Sequence, residues 1–230
     1  MTAQLSTAPG SRTINPPAGI ARLRGFVMSF SELVASTRDE AEVLQSGAKL
    51  LTRLVAHDDW LPDAFAVPHT DRYQQYLLHC DSSERFSVVS FVWGPGQSTL
   101  IHDHRVWGLI GVLRGLEQSE RYDRARDVGS CSDGSLRSDN SSRSDGSLRS
   151  HGSPDTLRPG EVEAVSPRVG DIHRVWNAAP DASSISIHVY GGNIGAVERA
   201  TYALDGTSKQ FISGYANTLV PNLWDCSARA

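Results

Sequence analysis

The sequence predicts a mainly β protein, an antiparallel sandwich or barrel preceded by N-terminal helices. Three observations lead there. Apolar residues recur at spacings of three and four before Pro68 and at a spacing of two beyond it. The strand-like runs are short and are separated by Gly, Pro and Asp. Helical and extended patterns follow one another instead of alternating, which argues against a parallel βαβ sheet.

The helical pattern runs from about Phe26 to Ala56, where Leu44, Ala48, Leu51 and Val55 fall on one face. Thr37 followed by Glu40 is a candidate capping box and sets a helix start near residue 38. Pro62 and Pro68 close this region. The strands expected after it are Phe86–Trp93, which runs into Gly94-Pro95-Gly96, then Leu109–Leu113, Val162–Val165 and Ile185–Tyr190.

A chain of 230 residues suffices for one decorated domain, expected over 23–230 behind a flexible tail at 1–22. A formal net charge of -4 gives no reason to expect nucleic acid or an anionic membrane as partner. No apolar run reaches the ~18 residues of a membrane span. The N-terminus has no basic start followed by an apolar stretch, so it does not read as a secretory signal. Cys80, Cys131 and Cys226 form no CxxC pair and no even framework, so a reduced, cytoplasmic protein is expected. Residues 124–159 read as a low-complexity surface insertion, because SDGSLRS at 132–138 recurs at 144–150 with almost no apolar surface. Deleting 130–152 is accordingly expected to leave stability unchanged.

The strongest chemical signal is the segment from Gly96 to Gly108, which contains His102-Asp103-His104. On a strand, residues two apart share a side, so the two imidazoles would face one interior. Alone such a pair is weak, since paired strand histidines are often only hydrogen-bonded. Its surroundings resemble the first cupin motif: a glycine, five residues, His-x-His, three or four residues, a glutamate, six residues and a glycine. Gly96, His102, His104 and Gly115 fall in place. Gly170-Asp-Ile-His173-Arg-Val-Trp-Asn177 resembles the end of the second motif, with Arg168 where a proline is usual. The resemblance implies a cupin double-stranded β-helix barrel and a metal held by His102, His104 and His173. Gly108 stands where many cupins have a glutamate ligand, and Asp103 would point to the opposite face. Three neutral imidazoles leave up to three positions open on an octahedral ion. Zinc accepts the same ligands with a water, so these ligands alone do not fix the metal.

A second pattern lies in Ser184-Ile-Ser-Ile-His-Val-Tyr190. Strand alternation sets Ser186, His188 and Tyr190 on one face and Ile185, Ile187 and Val189 on the other. Such a face could simply be turned to solvent. Beside a metal site it reads as a hydrogen-bonded relay, in which Ser186 fixes the His188 tautomer and His188 orients the Tyr190 hydroxyl.

Together, His102-x-His104, Gly-x-x-His173-Arg-Val and Ser186-x-His188-x-Tyr190 resemble the cysteine dioxygenase family of thiol dioxygenases. The resemblance covers roughly residues 60–205 without the repeat. The bacterial members that act on 3-mercaptopropionate look most similar. It implies an Fe(2+) enzyme that adds both atoms of O2 to the sulfur of a small mercapto acid, 3-mercaptopropionate or cysteine, to give the sulfinate. It also implies Tyr190, His188 and Ser186 as the catalytic row. Animal members carry a cysteine after His-x-His that is cross-linked to the tyrosine matching Tyr190. Here that place looks to be Gly108. Their Tyr-x-Arg, whose arginine holds the substrate carboxylate, is Tyr73-Gln74-Gln75 in this chain. In the bacterial type Gln75 would line the substrate site, and Arg199 matches the arginine that holds the carboxylate, although it could equally be a solvated surface residue. Trp93 and Trp107 are expected to wall the barrel. Two other readings stay open: a three-histidine cupin dioxygenase cleaving a carbon–carbon bond, and a metal-binding cupin without turnover.

Overall fold

The computed structural model describes residues 19–125 and 146–224. The tail reading therefore lies outside the described residues up to position 18. Two helices come first, α1 (Ile20–Ser36) and α2 (Glu40–Val55). The helical region starts ahead of Phe26, and Ile20 to Arg22 belong to α1 rather than to the tail. The chain breaks between the helices because Thr37 is extended, at φ -140° and ψ 152°. The expected Thr37–Glu40 capping box is corrected. The cap is Asp39, whose carboxylate accepts the Ala41 N–H at 3.1 Å, while Thr37 Oγ1 accepts the Asp39 N–H at 3.1 Å. Aspartate caps as well as threonine, and its charge also suits the positive end of the helix dipole.

Twelve strands follow in the described residues: β1 (Gln74–Cys80), β2 (Ser87–Trp93), β3 (Ile101–His102), β4 (Gly108–Arg114), β5 (Glu117–Arg124), β6 (Leu148–Ser150), β7 (Asp155–Leu157), β8 (Val162–Val165), β9 (His173–Asn177), β10 (Ser184–Tyr190), β11 (Arg199–Tyr202) and β12 (Ser208–Phe211). One antiparallel sheet has the order β1-β2-β10-β4-β8. The other runs β12-β11-β3-β9-β5-β6, with β7 also paired to β5. The four strands expected from alternation are β2, β4, β8 and β10, each within a residue of its predicted ends. Two curled antiparallel sheets with helices ahead of them make the expected cupin double-stranded β-helix barrel.

β2 and β10 are buried at every position. Alternation divides their side chains between two cores. Val88, Val92, Ile185, Ile187 and Val189 join Phe30 of α1 and Leu51 of α2 in the core between the helices and the first sheet. Val89, Phe91, Trp93 and Tyr190 turn the other way, toward Val175 of β9 in the second sheet. The helices close one face of the sheet, which leaves the other face as the barrel interior. Trp107 packs on the helix side, 6.0 Å from the Phe30 ring, and Trp93 on the inner side.

The expected insertion at 124–159 is corrected at both ends. Arg124 closes β5, and Leu148–Ser150 pairs with Tyr122–Arg124. Asp155–Leu157 pairs with Glu117–Ser119. Backbone pairing at a sheet edge needs no apolar run, so composition hid these two strands. Leu148, in the second heptapeptide copy, is 5% exposed. A deletion of 130–152 would remove β6, and it is no longer expected to be neutral. The first copy and Cys131 lie outside the described residues, as does Cys226, while Cys80 is a half-buried free thiol. No described helix is long and apolar enough to cross a membrane.

α2 sits close enough to the sheet that a Cβ on Gly47 would meet Leu109 Cδ1 at 2.8 Å and Phe30 Cε2 at 2.9 Å. Alanine favours a helix interior over glycine by ~1 kcal/mol, but overfilling a packed core costs ~1–3 kcal/mol. Leu109 and Phe30 are both fully buried and have little room to retreat. Gly47→Ala is therefore expected to lose stability on urea denaturation, by ~1 kcal/mol. A more stable variant would mean that helix and sheet can part at no cost.

Candidate metal centre and adjoining cavity

His102 and His173 are register partners across β3 and β9. His104 reaches them differently from the expected strand alternation. β3 ends at His102, and Arg105 has φ 62°, so His104 sits on a turn. Asp171 holds that turn. Its carboxylate accepts the N–H groups of His104 and Arg105, each at 3.0 Å, and the Nδ1–H of His104 at 2.8 Å. Asp103 points away, as expected, and accepts from the Ala200 N–H at 2.8 Å and from the Tyr202 hydroxyl at 2.7 Å.

The three imidazoles form a near-equilateral cluster with ring centroids 4.9 Å apart in every pair. One nitrogen from each lies within 4.8 Å of the others. Every Nδ1 is already engaged. His102 donates to the Leu100 carbonyl at 3.0 Å, His104 to Asp171, and His173 pairs with Ser119 Oγ at 3.2 Å. That leaves the three Nε2 atoms to converge, as oriented metal-binding histidines do. Burial, reinforced by the neighbouring imidazoles, pulls His102 down to about 3 and His173 well below its usual value. Burial pushes the Asp171 carboxyl up, yet the hydrogen bonds from His104 outweigh it and hold it below the ordinary range. His102 and His173 are thus neutral at physiological pH, the state a cation requires of its ligands. Its donor set fits a divalent ion that accepts nitrogen, iron or zinc included.

β10 delivers the next group of side chains to the same cavity. Ser186 Oγ lies 2.8 Å from His188 Nε2, and His188 Nδ1 lies 2.8 Å from the Tyr190 hydroxyl. His188 stacks on Phe91 at 4.0 Å and Tyr190 on His104 at 5.3 Å, which joins this row to the histidine cluster. Burial holds His188 well below and Tyr190 well above their usual pKa values, so both are neutral. Gly108 is pressed against this tyrosine. A Cβ there would lie 2.9 Å from the ring carbons Cδ1 and Cε1.

The cavity measures about 230 Å³. Arg199 lines it at 3% exposure, which excludes the solvated-surface alternative. One guanidinium nitrogen donates to Ser213 Oγ at 2.6 Å, and the group lies 4.7 Å from the Phe211 ring centroid. Its Nε is buried without a hydrogen-bond partner among the described residues. Gln75 lines the same wall, and its Oε1 is likewise buried and unpartnered. No carboxylate lines the cavity among the described residues. A buried cation with no anion beside it is costly, a cost that an anionic guest would offset.

Three supporting residues were not found from the sequence, Asp171, Ser119 and Glu117 behind Ser186, and Trp93, expected only as a wall, also donates from Nε1–H to Ser186 Oγ at 3.4 Å. Asp171 lies inside the second cupin-like motif, but its partner His104 is 67 positions away. Glu117 and Ser119 lie two apart on β5, a strand not expected from the sequence, and are both buried.

No protein-family model matches the chain. Among solved structures it is similar to an uncharacterized conserved protein with a double-stranded beta-helix domain from Klebsiella pneumoniae. That match has 18% identity, covers 57% of this chain and 82% of that one, and has a TM-score of 0.39. It is also similar to a cupin 2 domain-containing protein from Halorhodospira halophila, at 12% identity over 54% of this chain and 68% of that one, TM-score 0.36. Oxalate oxidase in complex with the substrate analogue glycolate matches at 17% identity over 54% and 53% of the two chains, TM-score 0.35. Likenesses this partial leave the site to be read from its own geometry.

Asp171 is the partner that a metal-binding His104 would depend on. We expect Asp171→Ala to weaken zinc or ferrous-ion affinity by roughly 10–100-fold, the usual effect of removing such a partner. Competition against a chromophoric chelator measures it. Unchanged affinity would show that packing alone orients His104.

Proposed function

We propose that this chain is an iron(II)-dependent thiol dioxygenase acting on a small mercapto-carboxylic acid, with 3-mercaptopropionate favoured over cysteine. The observation that carries the reading is the meeting, in one small cavity, of three clustered histidines, a buried arginine with no carboxylate partner among the described residues, and the Ser186–His188–Tyr190 row. His102, His104 and His173 would hold the ion. When bound, ferrous iron would supply the Lewis acidity that deprotonates a thiol of pKa ~8.5 and the electrons that activate O2.

The protein's own groups do the positioning. Arg199 offers a bidentate, charged partner to the substrate carboxylate, and its free Nε is one of the donors this needs. Gln75 can add a neutral hydrogen bond from its amide. Among the described residues no anionic group in the cavity would meet an ammonium, which favours a substrate without an α-amino group. Tyr190 is neutral and hydrogen-bonded to His188, so its hydroxyl stays a fixed polar contact beside the histidine cluster. Phe91, Trp93 and Phe211 give the cavity apolar walls. The reaction balances without an external reductant: R–SH and O2 give R–SO2H, with sulfur giving up the four electrons that O2 takes.

The experiment is oxygen uptake by the iron-loaded protein with 3-mercaptopropionate, cysteine and cysteamine side by side, together with product analysis. A sulfinate supports the proposal, two carbonyl fragments from a diketone would replace it with carbon–carbon cleavage, and no uptake would leave a metal-binding cupin. A higher kcat/KM for cysteine would overturn the substrate preference alone. Arg199→Ala is expected to weaken carboxylate-bearing thiols by ~1.5–3 kcal/mol, the worth of a charged hydrogen bond, and to affect cysteamine little. Tyr190→Phe is expected to retain iron and to lose rate by ~10²-fold if the hydroxyl donates during the reaction.

A further inference from the structure

Glu117 opens β5 with 1% of its surface exposed. Neither carboxyl oxygen closes a well-formed hydrogen bond among the described residues. The hydroxyls of Ser186 and Ser184 nevertheless lie close enough to act on it. Its opposite partners on the neighbouring strands are Leu157 of β7 and Asn177 of β9. The Asn177 amide is committed to the Trp93, Gly94 and Ala182 carbonyls and to the Ala179 N–H. The next inward residue on β5 is Ser119, which turns to His173. None of these neighbours on β7, β9 or β10 is titratable, and among the described residues no charged side chain acts on Glu117. Burial alone pushes the carboxyl up to about 8, so at neutral pH it is chiefly the acid.

That state matters because the row it abuts has a direction. A neutral imidazole carries one N–H. With the proton on Nδ1, His188 donates to the Tyr190 oxygen at 2.8 Å and accepts from the Ser186 hydroxyl at 2.8 Å. The Tyr190 O–H is then free to point into the cavity. With the proton on Nε2, both bonds reverse, Tyr190 donates to His188, and only a lone pair faces the cavity. Trp93 fills one Ser186 lone pair in either arrangement and does not choose between them. The group behind Ser186 does choose. A carboxylate takes the Ser186 proton and selects the second arrangement, whereas a carboxylic acid donates to Ser186 and selects the first.

We propose that Glu117 is a positioning residue which, as a neutral acid, donates to Ser186, fixes His188 as the Nδ1–H tautomer, and turns the Tyr190 proton into the cavity. The catalytic consequence rests on the thiol dioxygenase reading, but the tautomer does not. The test begins with the full chain loaded with zinc, which is diamagnetic. Nitrogen-15 NMR of histidine is expected to report Nδ1–H for His188 in the wild type and in Glu117→Gln, whose amide can still donate, and a loss of that preference in Glu117→Met. Infrared difference spectra should show a carboxylic acid C=O band that Glu117→Gln removes. An Nε2–H tautomer in the wild type, an unchanged tautomer in Glu117→Met, or no acid band would overturn the proposal.

With iron and 3-mercaptopropionate, Glu117→Met is expected to lower kcat by roughly tenfold with KM and metal content retained, and Glu117→Gln to restore most of it. Ionisation reverses the row, so wild-type kcat should fall as pH rises through about 8, a fall that Glu117→Gln should lack. Equal pH profiles would count against the proposal. If the iron-loaded wild type oxidises no thiol, the functional reading fails while the NMR and infrared results still decide the role of Glu117.

Discussion

β10 is bonded on one edge to β2 and on the other to β4, and it is buried on both faces. Residues two apart on such a strand are ~6.6 Å apart and project in the same direction. Ile185, Ile187 and Val189 hold one face against the helices, so Ser186, His188 and Tyr190 have nowhere to go but the barrel interior. Slipping the register by one residue would bury the polar row in the apolar core and turn the isoleucines into the cavity. The apolar core thereby fixes the register, and the register fixes the spacing at which hydroxyl, imidazole and phenol meet.

The second sheet works on the same principle with weaker means. β3 is only two residues long and β9 only five, and their shared pair is His102 and His173. The third histidine lies beyond the end of its strand and depends on one carboxylate. Asp171 ties down two backbone N–H groups and one imidazole, so a turn gains the fixity that hydrogen-bonded strands supply elsewhere. Glu117 and Ser119 extend this division of labour along β5. One lies behind the row on β10 and the other pairs with a histidine on β9.

Charge is distributed through the interior with the same economy. Burial keeps His102, His173, His188, Tyr190 and Glu117 neutral, while Arg199 stays in the cavity without a carboxylate among the described residues. Under the proposed function the protein would bring two sources of positive charge to the cavity, the metal and the guanidinium, and no negative charge to offset them. A thiolate and a carboxylate on one small molecule would supply both counter-charges.

The sequence by itself determined what depends on local period and residue type. Alternation located β2, β4, β8 and β10, the apolar face located α2, and the spacing of His102, His104 and His173 in two motifs located the cluster. Alternation also named every member of the row on β10. What only the tertiary structure decided was each pairing between distant positions: His104 with Asp171, His173 with Ser119, and Arg199 with a cavity that holds no acid among the described residues. It also decided that part of the serine-rich stretch forms edge strands, since backbone pairing leaves little trace in composition. Period is a property of neighbours along the chain. Partners 54 or 67 positions apart meet only because two sheets close on each other, and nothing local to either residue records that meeting.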